Sequence, residues 1–121
     1  MGQAFRPTAL VVEDDHMQRS LVTMLLEESE MDVVSCESAE AAMTVLNKLG
    51  YRTAMLFTDV ELAGNMDGIE LAHRAKERFP DMRVIVTSGT PRVRRLPDGS
   101  VFMAKPWAPL ELLREAARST R

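Results

Sequence analysis

The hydrophobic residues of this chain fall into two alternating patterns, which predict two kinds of secondary structure. The first pattern is a short continuous apolar run bounded by polar or turn-forming residues, which is typical of strands buried on both faces of a sheet. We predict a strand at each of five short segments of this general type, although polar residues interrupt the second and the fourth: Thr8–Val12, Met31–Cys36, Ala54–Phe57, Met82–Val86 and Val101–Ala104.

The second pattern places apolar residues three or four positions apart, which is the spacing of one helix face. Capping and turn residues bound these segments at Asp15, Gly50, Pro80 and Pro109. Four helices are therefore predicted, with faces formed by Met17, Leu21, Met24 and Leu25; by Ala39, Ala42, Val45, Leu46 and Leu49; by Gly68, Ala72, Ala75 and Phe79; and by Leu110, Leu113, Ala116 and Ala117.

Strands that alternate with helices form a parallel sheet covered on both faces and connected by right-handed crossovers. We therefore predict one α/β domain over residues 1–121, built on a doubly wound five-stranded sheet. The connection from Gly89 to Ser100 departs from this scheme, because its twelve residues barely meet the roughly 10–12 that a complete crossover requires. It also contains Pro91, Pro97 and Gly99, so we expect the helix before the fifth strand to be short or missing.

The composition narrows the class of protein. The 121 residues carry a formal net charge of −3, whereas a nucleic-acid surface normally requires a basic face, so we expect no nucleic-acid partner. The single cysteine, Cys36, excludes an internal disulfide and favours a reducing, cytoplasmic setting. Because no stretch approaches the roughly 20 apolar residues of a membrane span, we expect a soluble protein with no membrane partner.

Polar residues follow all five predicted strands, although the second strand contributes only Glu37. The carboxyl ends of parallel strands share one edge of the sheet, where such folds bind ligands, so these residues should meet there. Carboxylates repel one another unless a cation offsets their charge, and an all-oxygen ligand set favours Mg²⁺. The sequence therefore predicts a magnesium site formed by Glu13, Asp14 and Asp59, with three neighbours at the same edge: Thr87, Ser88 and Lys105.

Such a site suits phosphoryl transfer, in which negative charge on three oxygens must be neutralised. An aspartate can act as the nucleophile and become an acyl phosphate. We expect Asp59 to attack phosphorus, and Lys105 to hold phosphoryl oxygens together with Mg²⁺. Ser88 should then donate a hydrogen bond to the product, with Thr87 as the alternative hydroxyl.

The chain resembles, over essentially its whole length, the receiver domains of bacterial two-component response regulators, in particular single-domain regulators of the chemotaxis type. This resemblance implies a flavodoxin-like fold with sheet order 2-1-3-4-5. It also implies Mg²⁺-dependent transfer of phosphate from a histidine kinase or a phosphotransfer protein onto Asp59. Five motifs in the family's order support the resemblance: Val11–Asp14, Thr58–Asp59, Met66–Gly68, Thr87–Gly89 and Lys105–Pro106.

The resemblance also implies roles for individual residues. Ser88 and Phe102 would form a switch in which the hydroxyl and the aromatic ring move together on phosphorylation. The implied metal ligands are Asp14 and Asp59 directly, Glu13 through water, and Glu61 through its backbone carbonyl.

Two departures from the family pattern concern the loop after Asp59 and the segment before the fifth strand. The loop is one residue longer than usual, and Ala63 stands where a proline is common, so we expect a looser loop. Receivers of this kind commonly signal through the fourth helix, the fifth strand and the last helix. With the fourth helix short or missing, the output surface should differ and should be basic, because it would carry Arg92, Arg94 and Arg95.

Our leading hypothesis is a phosphoacceptor receiver, either a single-domain response regulator or part of a larger protein, that self-phosphorylates from a phosphodonor and loses the phosphate slowly. It would signal to an unknown downstream protein through changed contacts or by onward transfer of the phosphoryl group. One alternative is a Mg²⁺-dependent phosphohydrolase that uses the same aspartyl phosphate and turns over small phosphomonoesters. The other is an interaction module that works without phosphorylation. The intact set of acids, hydroxyl and lysine counts against this last alternative.

Overall fold

The computed structural model describes residues 6–90 and 94–120 and contains all five predicted strands. They form one parallel sheet in the order β2-β1-β3-β4-β5, which confirms the predicted architecture. None of the helices in the described residues has the length and hydrophobicity needed to cross a bilayer. The strands are β1 (Thr8–Val12), β2 (Asp32–Cys36), β3 (Thr53–Asp59), β4 (Arg83–Ser88) and β5 (Val101–Ala104), and the helices are α1 (His16–Glu28), α2 (Ala39–Leu49), α3 (Gly68–Arg78) and α4 (Pro109–Ser119), with a 3₁₀ turn at Gly50–Arg52.

Two hydrophobic clusters pack on opposite faces of the sheet. Leu10 and Val12 of β1 belong to the cluster that includes the buried faces of α2 and α3. Ala9 and Val11, which alternate with them, belong to the cluster shared with α1 and α4. This alternation is the two-residue period of a strand. Both faces of the strand are covered, which is why its sequence is a continuous apolar run.

Helix α1 is present as predicted, but its predicted core face is wrong. Val22 and Leu26 are the buried residues of this helix, and of the predicted set Leu25 packs partly against the same cluster. One position along a helix is a rotation of roughly 100°, so Val22 faces the sheet while its neighbour Leu21 points largely to solvent. The other predicted residues are exposed, by 80% for Met17, 43% for Leu21 and 51% for Met24.

The core face of α4 differs from the prediction in part, since Ala116 is buried as predicted. Its buried residues include Leu112 and Glu115, whereas Leu110 is 54% exposed. Glu115 forms ion pairs with Arg83 of β4 at 2.7 Å and with Arg118 at 3.0 Å. Charged side chains are rarely buried unless they are paired. This pairing places a carboxylate on a face that we expected to be apolar.

No helix lies between β4 and β5 in the described residues 89–90 and 94–100, which agrees with the prediction of a short or missing helix. Arg94 and Arg95 are exposed there. Each is paired with an acidic side chain, Arg94 with Asp67 and Arg95 with Asp98, so the basic character of this surface stays a prediction. Arg92, the third arginine of that prediction, lies outside the described residues.

The segment before β5 is attached to α3. Arg94 donates a hydrogen bond from Nη2 to Oδ2 of Asp67 at 2.5 Å, and Nε2 of His73 lies 2.9 Å from the carbonyl oxygen of Arg95. Leu96 packs against the core cluster beneath α3. These contacts hold the segment against α3 and the core cluster.

The end of the β3–α3 loop that leads into α3 is held by hydrogen bonds, whereas we expected a looser loop. Glu40, in the first turn of α2, accepts hydrogen bonds at Oε2 from the backbone N–H groups of Asn65 and Met66, each at 3.0 Å. Asp67 then caps α3 by accepting a hydrogen bond from the N–H of Glu70 at 2.9 Å. The additional residue therefore lies in a loop that another helix holds in place.

Candidate functional site

Three strand ends meet around the carboxylate of Asp59, as the sequence predicted. Asp59 is the last residue of β3 and is 5% exposed. Its Oδ2 accepts a hydrogen bond from Nζ of Lys105, which follows β5, at 3.0 Å. The same Nζ lies 3.4 Å from Oε1 of Glu13, which follows β1. Lys105 thus bridges two carboxylates that are far apart in the sequence.

Helix α3 begins directly against the backbone of Asp59. The N–H of Gly68 donates to the carbonyl of Val60 at 2.9 Å. A Cβ atom at Gly68 would lie 1.8 Å from the carbonyl oxygen of Asp59, well inside van der Waals contact. Only glycine allows this approach, so Gly68 helps to fix the backbone that carries the carboxylate.

The three predicted metal-binding carboxylates form a cluster. Glu13, Asp14 and Asp59 each offer an oxygen, and these oxygens lie within 4.8 Å of one another. Glu13 is 2% exposed, and among the described residues its Oε2 has no hydrogen-bond partner. A buried carboxylate oxygen without a partner is unfavourable unless a cation or donor satisfies it. This donor set fits Mg²⁺, which prefers oxygen ligands.

The pKa values of two groups in the cluster, Glu13 and Lys105, are both raised. Burial and the neighbouring charge of Asp59 raise the pKa of Glu13 to about 7, against the opposing effect of Lys105. Burial disfavours the charge of Lys105, but its hydrogen bonds and ion pairs with Asp59 and Glu13 raise its pKa. The site therefore holds a permanently charged ammonium group beside a carboxyl group that titrates near neutral pH.

The two candidate hydroxyls point to different environments. Thr87 donates from Oγ1 to the carbonyl of Met103 in β5 at 2.7 Å and is buried within the sheet. Ser88 donates from Oγ to the carboxylate of Glu61, with oxygens at 3.0 and 3.1 Å, and accepts from the N–H of Thr90 at 2.9 Å. This geometry favours Ser88 over Thr87 as the hydroxyl that serves the site.

Phe102, the predicted switch aromatic, shares a face of the sheet with Ser88. In the β4–β5 register Val86 pairs with Phe102, and Ser88 pairs with Ala104. Residues two apart along a strand point to the same face. Phe102 is partly buried, and its switching role stays a prediction.

Glu61 lies at the site, but its side chain makes a contact that the sequence did not predict. Its backbone N–H lies 3.4 Å from Oδ1 of Asp59, while its carboxylate binds Ser88. The predicted role of its backbone carbonyl as a metal ligand stays a prediction. The path of the loop after Asp59 decides where this side chain points, and no local sequence pattern reports that path.

Sequence reasoning also missed Glu40, whose carboxylate binds a loop 25 residues away. Its only local signal is an acidic residue in the first turn of α2. That signal is common in helices, because negative charge is favourable near a helix N-terminus. The contact could therefore be found only in three dimensions.

Comparisons with known proteins agree with this geometry. The family described as "Response regulator receiver domain" matches residues 9–117. The chain is 30% identical over 111 residues to the response regulator receiver protein CpdR of Brucella abortus, a match that covers 88% of this chain and 90% of CpdR. It is 28% identical over 125 residues to the transcriptional regulatory protein AruR of Pseudomonas aeruginosa, covering 98% of this chain and 51% of AruR. The chain thus spans about half the length of AruR.

A solved structure shares the fold. The crystal structure of a response regulator receiver protein from Sinorhizobium medicae superposes with a TM-score of 0.85, at 22% identity and with 94% of each chain covered. At this identity the likeness concerns the arrangement of strands and helices.

Proposed function

Because the chain belongs to the response regulator receiver domain family, we propose that it acts in a two-component phosphorelay with Asp59 as the phosphoacceptor. A histidine kinase or a phosphotransfer protein would donate the phosphoryl group. The observation that supports this proposal most directly is the 3.0 Å contact between Lys105 Nζ and Asp59 Oδ2, within a cluster that also contains Glu13 and Asp14.

In the proposed reaction an oxygen of Asp59 forms a bond to phosphorus while the phosphorus–nitrogen bond to the donor histidine breaks. The electron pair of the broken bond returns to the imidazole ring. Lys105 neutralises negative charge that develops on the phosphoryl oxygens, which is the main requirement of such a transfer. The hydroxyl of Ser88 then donates a hydrogen bond to a phosphoryl oxygen of the product.

Glu13, Asp14 and Asp59 would hold a Mg²⁺ ion, with the backbone carbonyl of Glu61 as a further proposed ligand. When bound, the ion supplies positive charge to the phosphoryl oxygens. The partnerless Oε2 of Glu13 supports a cation at this place.

The signal would leave the domain through altered contacts with a downstream protein, in a cytoplasmic setting. Ser88 and Phe102 lie on one face of the sheet, next to a β4–β5 connection without a helix in its described residues. The output surface is therefore proposed to include Arg94 and Arg95, where related receivers use a complete helix.

Intact-mass analysis after incubation with acetyl phosphate and Mg²⁺ tests the proposal. We expect the mass of one phosphoryl group to be added to the wild-type protein and not to Asp59→Asn. An adduct of equal yield in both proteins, or none in either, would contradict the assignment of Asp59.

The same preparation separates this function from the phosphohydrolase alternative. A receiver consumes about one equivalent of acetyl phosphate and then turns over slowly, whereas a phosphohydrolase releases phosphate from small phosphomonoesters through many cycles. Phosphate release from p-nitrophenyl phosphate at many equivalents per protein would favour the hydrolase.

A further inference from the structure

The hydroxyl of Ser88 has both of its hydrogen-bonding functions occupied. It donates its proton to the carboxylate of Glu61 at 3.0 to 3.1 Å. It accepts from the N–H of Thr90 at 2.9 Å. Ser88 itself is 1% exposed, so water has little access to replace either partner.

A serine hydroxyl carries one proton, so it can donate to one acceptor group at a time. A phosphoryl group on Asp59 would need that proton for one of its oxygens. In the structure the proton is directed to the side chain of Glu61, which follows Asp59 by two residues. A phosphoryl group can therefore reach the hydroxyl only after Glu61 has released it.

We propose that the side chain of Glu61 is a positioning residue that competes with the phosphoryl group for Ser88 and so stabilises the unphosphorylated state. This inference rests on the proposed function, because it requires a phosphoryl group on Asp59. Its carboxylate takes the place of an anionic phosphoryl oxygen at the hydroxyl. Its negative charge also opposes the arrival of a second anion at the same position.

The two parts of this effect can be separated by substitution. Glu61→Ala removes both the acceptor and the charge, whereas Glu61→Gln keeps a neutral acceptor. Hydrogen bonds to charged groups contribute more than those to neutral groups. Affinity for a phosphoryl mimic should therefore increase in the order wild type, Glu61→Gln, Glu61→Ala.

The test uses beryllofluoride, which stands for the phosphoryl group on an aspartate, titrated at saturating Mg²⁺ and followed by NMR or calorimetry. We expect Glu61→Ala to bind it roughly tenfold more tightly than the wild type, the scale of one hydrogen bond to a charged group. The matched control is Glu37→Gln, which removes a carboxylate whose side chain is 78% exposed, and it should bind like the wild type.

A double-mutant cycle with Ser88→Ala shows whether the effect passes through the hydroxyl. In the Ser88→Ala background there is no hydroxyl to compete for. The gain in beryllofluoride affinity from Glu61→Ala should therefore fall to the small part that comes from charge repulsion. In the protein without beryllofluoride, the amide signal of Thr90 should also shift in Glu61→Ala, because Thr90 donates to the same hydroxyl.

The outcomes separate this inference from the function on which it rests. Beryllofluoride binding to the wild type with no gain in Glu61→Ala overturns the competition and leaves Asp59 as phosphoacceptor. An equal gain with and without the Ser88 hydroxyl overturns the role of Ser88 and leaves a simple charge effect. Absence of binding by every protein overturns the proposed function and the competition together.

Discussion

Burial of Glu13 beside Asp59 makes the metal-free protein sensitive to pH. The pKa of Glu13 is raised from its ordinary value of 4.5 to about 7. Between these values the unfolded chain has lost the proton and the folded protein retains it. The folded state then binds more protons, so the free energy of unfolding falls as pH rises. The contribution of one such group is at most about 1.4 kcal/mol per pH unit, and the loss is complete above about pH 7.

Urea unfolding in EDTA, from pH 4.5 to above pH 7, measures this dependence. Comparison with Glu13→Gln isolates the carboxyl group, because all other titrating groups are common to both proteins. We expect the stability of the wild type to fall relative to Glu13→Gln across this range. A constant difference between the two proteins would mean that Glu13 titrates normally in the folded state.

A methyl group at Gly68 should disturb the site through the backbone. The Cβ atom would lie 1.8 Å from the carbonyl oxygen of Asp59, and neither group is a flexible side chain that can move away. We expect Gly68→Ala to lower the free energy of unfolding by about 1–3 kcal/mol and to weaken beryllofluoride binding.

Gly89→Ala is the matched control for stability, because a Cβ atom there would have no neighbour within 4 Å. Denaturant unfolding of both variants measures the difference. If the two variants were equally stable, the contact between α3 and the Asp59 backbone would not be as close as the structure has it.

At the scale of elements, α2 holds the loop that follows Asp59, the proposed phosphoacceptor. Glu40 accepts hydrogen bonds from the amides of Asn65 and Met66, and Ser38 caps the helix independently by accepting from the N–H of Ala41. Glu40→Ala should therefore leave α2 intact and speed hydrogen exchange at Asn65 and Met66, because their amides lose their acceptor.

The internal reference for this experiment is the amide of Glu70, which donates to Asp67 and should keep its exchange rate in Glu40→Ala. Hydrogen exchange followed by NMR resolves the individual amides. Unchanged rates at Asn65 and Met66 would show that the loop keeps its conformation without Glu40.

Strands β1, β3 and β4 could be predicted from sequence because burial on both faces leaves largely apolar runs, whereas the outer strands β2 and β5 are partly exposed. The helix faces were harder to predict, because large apolar residues such as Met17 and Met24 lie in solvent while Glu115 is buried by pairing with Arg83 and Arg118. Periodicity reports hydrophobic side chains, and it does not report charges that are neutralised by a partner elsewhere in the chain.

At the scale of the whole molecule, the candidate site was predictable because parallel topology brings the carboxyl ends of all strands to one edge. That rule places Glu13, Asp59 and Lys105 together without any knowledge of side-chain contacts. It does not separate Thr87 from Ser88, since the choice depends on which face each residue occupies. The hydrogen bond from the Thr87 hydroxyl to the carbonyl of Met103 joins β4 to β5. Its prediction requires the β4–β5 register, which the sequence does not provide.

The meeting of three carboxylates at this edge of the sheet predicts that a divalent cation stabilises the whole fold. A ligand that binds only the folded state adds about 2.7 kcal/mol at 100 times its dissociation constant, or about 10 °C in melting temperature for a domain of this size. We expect Mg²⁺ to produce such a rise in the wild type. In Asp14→Asn the rise should be smaller, because the cluster has lost one charged oxygen ligand.

Calorimetric melting with MgCl₂, against NaCl at equal ionic strength, separates site binding from general screening of charge. Without Mg²⁺, Asp14→Asn should melt no lower than the wild type, because removing one of three adjacent carboxylates relieves repulsion with Glu13 and Asp59. The variant would then be as stable as the wild type when metal-free and less stable when both are saturated with Mg²⁺. Equal Mg²⁺-dependent increments in the two proteins would exclude Asp14 as a ligand, and a lower metal-free melting temperature for Asp14→Asn would show that this carboxylate stabilises the fold without a cation.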